Sequence, residues 1–261
     1  MMRSYLHVIE KWSQTYYGPI SNMPEPLQKS VGSLYLCLRA IDEIEDSMSL
    51  NSIEKINILQ KIIKSIQNID ELSIKENLDF AFSSCRSKLP DVTLRLVEWI
   101  SLCPDEIRFR ILDCTASMAE RMIPFVRTGW SIKSKGDLSQ YFYAVAGTPG
   151  LCLSDIWQWY ERKTTTRKYA ISFGFYLQGI NVLRGREQDA LREVSFFPES
   201  WGKQDMIAYT LSFKPSVENY ITELSTGISY NCCLHLYKYS SKILDKIIGD
   251  DKIPSDGYEK P

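Results

Sequence analysis

Three observations predict an all-α fold for this chain of 261 residues. Apolar residues recur at three- and four-residue intervals along nearly its whole length, alternating apolar and polar runs are scarce, and so are the turn pairs that close hairpins. The apolar share of 44% in a chain of this length is enough to bury a large core. No repeat, linker or low-complexity segment divides it. Residues 1–248 therefore read as one helical domain, and the polar, turn-rich residues 249–261 as a loose tail.

Residues 4–16 carry a first helical pattern, and the turn signals from Gly18-Pro19 to Pro24-Glu25-Pro26 separate it from a second helix over 27–47. Ser49 to Ser52 make a break. Ile53, Ile56, Leu59, Ile62, Ile63 and Ile66 then mark an amphipathic helix. Helices follow at 75–88 and 90–101, the second with Pro90 near its first turn. Pro104-Asp105-Glu106 opens another, with acids in the first turn where the helix dipole favours them, and it runs to Pro124. Residues 129–136 read as a loop, and Asp137 begins a helix that enters the small-residue run Ala144 to Gly150. Such residues let a ligand or a second backbone come close, and Pro149 kinks or restarts the helix there. A long helix spans 169–190. Residues 196–202 form a loop, and helices over 215–231 and 232–248 complete the domain.

The helix over 27–47 holds the most unusual stretch, Leu38-Arg39-Ala40-Ile41-Asp42-Glu43-Ile44-Glu45-Asp46. Asp42 and Asp46 are i and i+4, about 6 Å apart along one face, with Arg39 a turn before them. Like charges so placed destabilise a bare helix by about 0.2–0.5 kcal/mol per pair, so a compensating cation is expected. Mg²⁺ suits hard oxygen ligands and is commonly held by carboxylates together with substrate phosphates, for which Arg39 offers a charge-assisted fork. On the helix over 169–190, Gln178, Asn181 and Arg184 succeed one another at i+3 and stack two amides and a guanidinium on one face.

Other classes are disfavoured. Lys+Arg 31 against Asp+Glu 32 leaves no global charge for nucleic acid or an anionic membrane. Seven cysteines without CxxC spacing read as reduced core thiols, hence a cytoplasmic protein. The start of the chain lacks an apolar signal region, and no apolar run is long enough to cross a membrane. His7 and His235 lack metal-spaced companions and read as structural.

Together the motifs resemble the squalene/phytoene synthase family of isoprenoid enzymes. Leu38 to Asp46 resembles the pattern LRALDxxED. Tyr141-Phe142-Tyr143-Ala144-Val145-Ala146-Gly147 resembles YCxYVAG, and Leu177-Gln178-Gly179-Ile180-Asn181-Val182-Leu183-Arg184 with Asp189 resembles LQxxNIxRDxxED, followed by Phe196-Phe197-Pro198. The resemblance implies a class I isoprenoid synthase bundle around a central apolar cavity. It implies Mg²⁺ held by Asp42, Glu45, Asp46, Asn181 and Asp189, and a prenyl diphosphate bound by Arg39, Gln178, Asn181, Arg184, Ala146, Gly147, Tyr16 and Phe142. Asp42, Asp46, Arg184, Tyr141 and Tyr143 are the catalytic candidates, and aromatic faces at Tyr16, Tyr35, Tyr141, Phe142, Tyr143, Phe173 and Tyr176 would stabilise a carbocation.

The chain also departs from the pattern. Gly185 and Gln188 stand where the second acidic motif has Asp and Glu, Ala144 stands where a tyrosine precedes VAG, Gln14 replaces an early arginine, and Val194 replaces a later one near Arg192. With half of one clamp gone, the expectation is an Mg-dependent terpene cyclase that ionises a single prenyl diphosphate, farnesyl diphosphate first, to a cyclic sesquiterpene hydrocarbon. The alternative is prenyl transfer, either head-to-head coupling of two prenyl diphosphates or prenylation of another acceptor. A non-catalytic lipid-binding protein is the third.

Overall fold

A computed structural model describes residues 5–67, 71–191 and 193–250. The chain order is α1 (Tyr5–Trp12), α2 (Gln14–Ser21), α3 (Glu25–Asp46), α4 (Ser52–Ile66), α5 (Glu71–Phe82), α6 (Asp91–Leu94), α7 (Leu96–Leu102), α8 (Asp105–Arg127), α9 (Lys135–Phe142), α10 (Thr148–Glu161), α11 (Arg167–Leu191), α12 (Lys203–Leu211), α13 (Lys214–Leu224) and α14 (Gly227–Asp250). A 3₁₀ turn covers Arg86–Lys88 and a π turn covers Tyr143–Gly147. No strand occurs among the described residues, as the periodicity predicts. Nor is any of these helices long and apolar enough to cross a membrane. The seven cysteines are free and buried. Of the expected tail, residues 249 and 250 end α14, and 251–261 lie outside the described residues, as does Arg192.

Helix α3 is the axis of the molecule. Leu27, Leu36, Cys37, Ala40, Ile41 and Ile44 are fully buried, each large apolar side chain contributing about 1.5–3 kcal/mol. Two buried hydroxyls fasten α3 to its neighbours: Ser33 Oγ donates to the Trp99 carbonyl of α7 at 2.6 Å, and Thr93 Oγ1 of α6 donates to the Ala40 carbonyl at 3.0 Å. Helices α7, α8 and α10 pack beside α3, α11 packs against α10, and α2 and α14, packed on each other, close the remaining side.

Several boundaries differ from those expected, each for a local reason. The first break falls at Ser13, whose hydroxyl accepts from the Tyr16 amide at 3.3 Å and caps α2. Gly18 and Pro19 lie inside that helix rather than in a turn, because Ile20 is buried and the Ser21 and Asn22 side chains bond the Gly18 carbonyl. Helix α8 continues through Pro124 to Arg127. The carbonyl that Pro124 leaves without its helical donor belongs to exposed Glu120, where water can serve it. Helix α12 was not foreseen. It buries Met206, Ile207, Tyr209 and Thr210 and begins where Asp205 accepts the Gly202 amide at 2.8 Å.

The last two helices part at 225–226 instead of 231–232. Ser225 and Gly227 have φ of 56° and 89°, and the Glu161 carboxylate accepts the Ile228 and Ser229 amides at 2.9 and 2.8 Å. A partly buried carboxylate thus caps α14 from the end of α10. A Cβ on Gly227 would run into that carboxylate, so glycine answers both the backbone angle and the space.

Candidate active site

A cavity of about 430 Å³ lies between α3, α11, α10 and α14, roofed by the α1–α2 junction. Its size is that of a small-molecule site. On the α3 side the wall is Val31, Leu34, Tyr35 and Leu38, then Arg39, Asp42, Glu45 and Asp46. On the α11 side it is Phe173, Leu177 and Ile180, then Gln178, Asn181, Arg184, Gly185 and Asp189. Both helices therefore present an apolar stretch followed by polar groups, and the two polar ends meet. This is the wall an amphiphile with an anionic head and a hydrocarbon tail requires.

Asp42, Glu45 and Asp46 bring one carboxylate oxygen each within 4.8 Å of the others. Glu45 is 3% exposed, and carboxylates this close and this dry call for a cation. A hard divalent ion such as Mg²⁺ fits the oxygen donors. Part of the charge is met by Arg39, whose Nη1 donates to Asp42 Oδ2 at 2.8 Å and whose Nη2 donates to Glu43. Glu43 itself lies off the cavity wall.

Facing the triad, Asp189 lines the cavity while Glu187 and Gln188 are exposed and do not. A Cβ at Gly185 would stand 3.4 Å from Asp189 Oδ2. The Asp189 carboxylate thus leans back over the glycine, into the space beside it. Arg184 Nη2 donates to Asn181 Oδ1 at 3.3 Å. Of the early segment, Tyr16 faces the cavity and packs 5.2 Å from Tyr35. Burial pushes the Tyr16 hydroxyl up to about 12, with the Arg184 guanidinium pulling the other way. Gln14 turns outward and donates to the Glu10 carbonyl at 3.1 Å.

Tyr141 is the side chain that joins the two acidic groups. Its ring stacks on Phe196 at 4.6 Å and meets Trp130 edge-on at 5.5 Å, while Gln178 Nε2 donates to its hydroxyl at a long 3.4 Å. Burial holds that hydroxyl well above the usual phenol range, and the negative fields of Glu45, Asp42, Asp46 and Asp189 push the same way. Those carboxylates come from both sides of the cavity.

The YFYAVAG segment does not run as a regular helix. Were it one, position 141 would be followed on the cavity side by 144–145, 148 and 152. The observed wall is Tyr141, then Val145 and Ala146, Pro149 and Gly150, and Leu153. The π turn adds one residue and advances the register by one. A Cβ at Gly174 would overlap the Ala146 carbonyl oxygen and one at Gly150 would overlap the Ala170 carbonyl oxygen. Glycine therefore allows the two backbones to touch and fixes this register.

Five expectations change. Tyr143 points toward α8, where the Arg121 guanidinium lies 5.5 Å over its ring. Phe142 is fully buried against Phe175 and Tyr209, and Gly147 is absent from the wall. Tyr176 bonds Ser241 at 3.0 Å, away from the cavity. Ala144, whose missing tyrosine argued against coupling, is itself fully buried and off the wall. Tyr16, Tyr35, Tyr141 and Phe173 remain as aromatic faces lining the cavity. Trp12, Trp130 and Phe196 were not foreseen as supports, because pairing across elements leaves no periodic signal in the sequence.

The sequence model of the squalene/phytoene synthase family matches residues 9–224. The squalene synthase of Schizosaccharomyces pombe is 24% identical over a 263-residue alignment that takes in 89% of this chain and 56% of that protein. Squalene synthase BSS of Botryococcus braunii is 29% identical over 201 residues, 73% of this chain and 42% of that one. The chain thus spans about half the length of these curated relatives. In structure it resembles TcSQS in complex with BPH1237, with a TM-score of 0.78 at 19% identity over 94% of this chain and 78% of that one. The TcSQS complex with E5700 gives 0.75 at 20% identity, over 93% and 77%. At these identities the structural likeness shows the fold.

Proposed function

The chain belongs to the squalene/phytoene synthase family, and from that premise we propose that it is a prenyltransferase that couples two prenyl diphosphates. The expectation of a single-substrate cyclase gains no support from the relatives, which are squalene synthases. One observation carries the preference for coupling: the tyrosine on the cavity wall is Tyr141, which this chain keeps, whereas position 144 never reaches the cavity. With Ala144 off the wall, the phenol available at the cavity is that of Tyr141.

In this reading Arg39 and Arg184 bind the diphosphate oxygens of the donor, and the C–O bond breaks with its electron pair leaving on diphosphate. Guanidinium groups stabilise the charge that develops there. Mg²⁺, when bound by Asp42, Glu45, Asp46 and Asp189, supplies further charge stabilisation for the leaving group. Tyr16, Tyr35 and Phe173 offer ring faces to the allylic cation, each contributing about 0.5–2 kcal/mol in a dry site. The alkene of the second prenyl diphosphate forms the new C–C bond, and a proton departs. Tyr141 keeps its own proton at neutral pH, so it donates a hydrogen bond to the leaving diphosphate. It also relays: its oxygen receives the departing proton as its own passes to a diphosphate oxygen.

The test is product mass. Purified protein is incubated with Mg²⁺ and geranyl, farnesyl or geranylgeranyl diphosphate separately, with and without NADPH, and the extract is analysed by mass spectrometry. A product with twice the carbon count of its substrate is expected. A fifteen-carbon hydrocarbon from farnesyl diphosphate alone would restore the cyclase reading, for which the loss of the side chain at Gly185 is the supporting observation.

A further inference from the structure

Resting on that reading, we infer that Trp12 is a positioning residue that holds the diphosphate-receiving guanidinium of Arg39 at the cavity wall. Trp12 ends α1 and its ring faces the cavity. The Arg39 guanidinium lies 4.8 Å from the ring centroid, and Lys11 Nζ stands 5.9 Å from the same ring. The turn that presents the indole is fixed by buried Val8 and Ile9 beneath α1 and by the Ser13 amide bonding the Ile9 carbonyl at 2.8 Å.

Arg39 needs such a hold. Two of its nitrogens bond Asp42 and Glu43, while its Nε is buried without a hydrogen-bond partner. A buried guanidinium N–H left so is costly unless a ligand takes it. Asp42 is also one of the three carboxylates gathered within 4.8 Å. A cation held by Asp42 would compete with Nη1 for that carboxylate and would leave the guanidinium available to diphosphate oxygens. The attraction of the indole face does not depend on the charge state of Asp42, so Trp12 keeps Arg39 in place through the exchange.

The experiment measures binding of inorganic pyrophosphate with Mg²⁺ to the full chain by calorimetry. Monofluoro- and difluorotryptophan are placed at position 12 through an amber codon, beside Trp12→Phe and Trp12→Leu. Fluorine drains the ring face and barely changes its shape. Affinity is expected to fall stepwise with fluorination and by about 3- to 30-fold in Trp12→Leu. Trp12→Phe should fall between the native chain and Trp12→Leu. Mn²⁺ bound without pyrophosphate, followed by paramagnetic resonance, should stay at the native value. If Trp12→Leu fails to fold, the fluorinated chains decide alone. Fluorinated chains that bind pyrophosphate as tightly as the native one would overturn the role of Trp12 and leave the proposed function standing. A native chain that binds no pyrophosphate would overturn both.

Discussion

Replacing Tyr141 by phenylalanine separates the chemistry of the site from its packing. The ring keeps its stacked contact with Phe196 and its edge contacts with Trp130 and Phe125, since only the hydroxyl is lost. That hydroxyl receives one hydrogen bond, from Gln178 at 3.4 Å, beyond the usual range for such bonds. Its loss should change stability by no more than about 1 kcal/mol, or about 2–4 °C in the melting midpoint of a domain this size. If the hydroxyl handles a proton in the reaction, the rate should fall by about 10²- to 10⁴-fold, about 2.7–5.4 kcal/mol in the barrier. Release of diphosphate from a prenyl diphosphate is the assay, run beside a thermal melt. Burial and the surrounding carboxylates raise the Tyr141 hydroxyl in the folded state. The unfolded chain therefore loses this proton first, and the associated stability is full below about pH 10 and declines above it. An alkaline fall in rate below that pH should be the same in both proteins. A variant within about threefold of native turnover would refute the assignment. So would one whose melting midpoint drops far enough to account for the lost rate.

Other outcomes follow from the same geometry. Asp42→Ala and Asp46→Ala should each abolish diphosphate release and weaken Mn²⁺ binding measured by paramagnetic resonance, with helical circular dichroism unchanged; near-native turnover in either would remove the metal assignment. Asp189→Asn should cost at least about tenfold in rate, about 1.4 kcal/mol, while Glu187→Gln should be silent because Glu187 is exposed and off the cavity wall. The reverse pattern would show that the α11 register at the site is wrong. Burial alone would raise the Glu161 carboxyl, but the Ser229 and Ile228 hydrogen bonds outweigh it and lower it. Its stabilising contribution is thus present above about pH 4.3 and lost as pH falls through the lowered folded value. Glu161→Gln should cost about 1–2 kcal/mol at pH 7 by urea denaturation, and the gap to native should close in acid. A pH-independent gap would count against the cap.

How far the sequence alone reaches is visible in particular residues. The helical class and the positions of α3, α4 and α11 follow from apolar residues at helical spacing: α4 buries one stripe, while α3 and α11 are buried on most sides over part of their length. The boundary between α13 and α14 does not, since it is set by Glu161 reaching across from α10. Pro19 and Pro124 mislead for a related reason. A proline ends a helix only when nothing repairs the lost bond. Here the carbonyls left without a helical donor belong to part-exposed Thr15 and exposed Glu120, which solvent can reach.

The site divides along the same line. Asp42, Glu45 and Asp46 sit on an uninterrupted α-helix, so counting residues gives their geometry. Gln178, Asn181, Arg184 and Asp189 do likewise on α11. Tyr141 to Gly147 cross a π turn, and there counting fails by one position. The cause is not local: Gly174 and Gly150, on the facing helices, let the backbones touch and select the register. In this chain Ala144 is buried off the wall, and the tyrosine that lines the cavity is Tyr141. The same distinction applies to Gly185, but with the opposite result. That position lies on a regular helix and on the wall, so its missing carboxylate is a change in the chemistry of the site. Asp189, leaning over the glycine, is then the α11 carboxylate on which the far side of the clamp depends, and this is why its substitution should separate from that of Glu187.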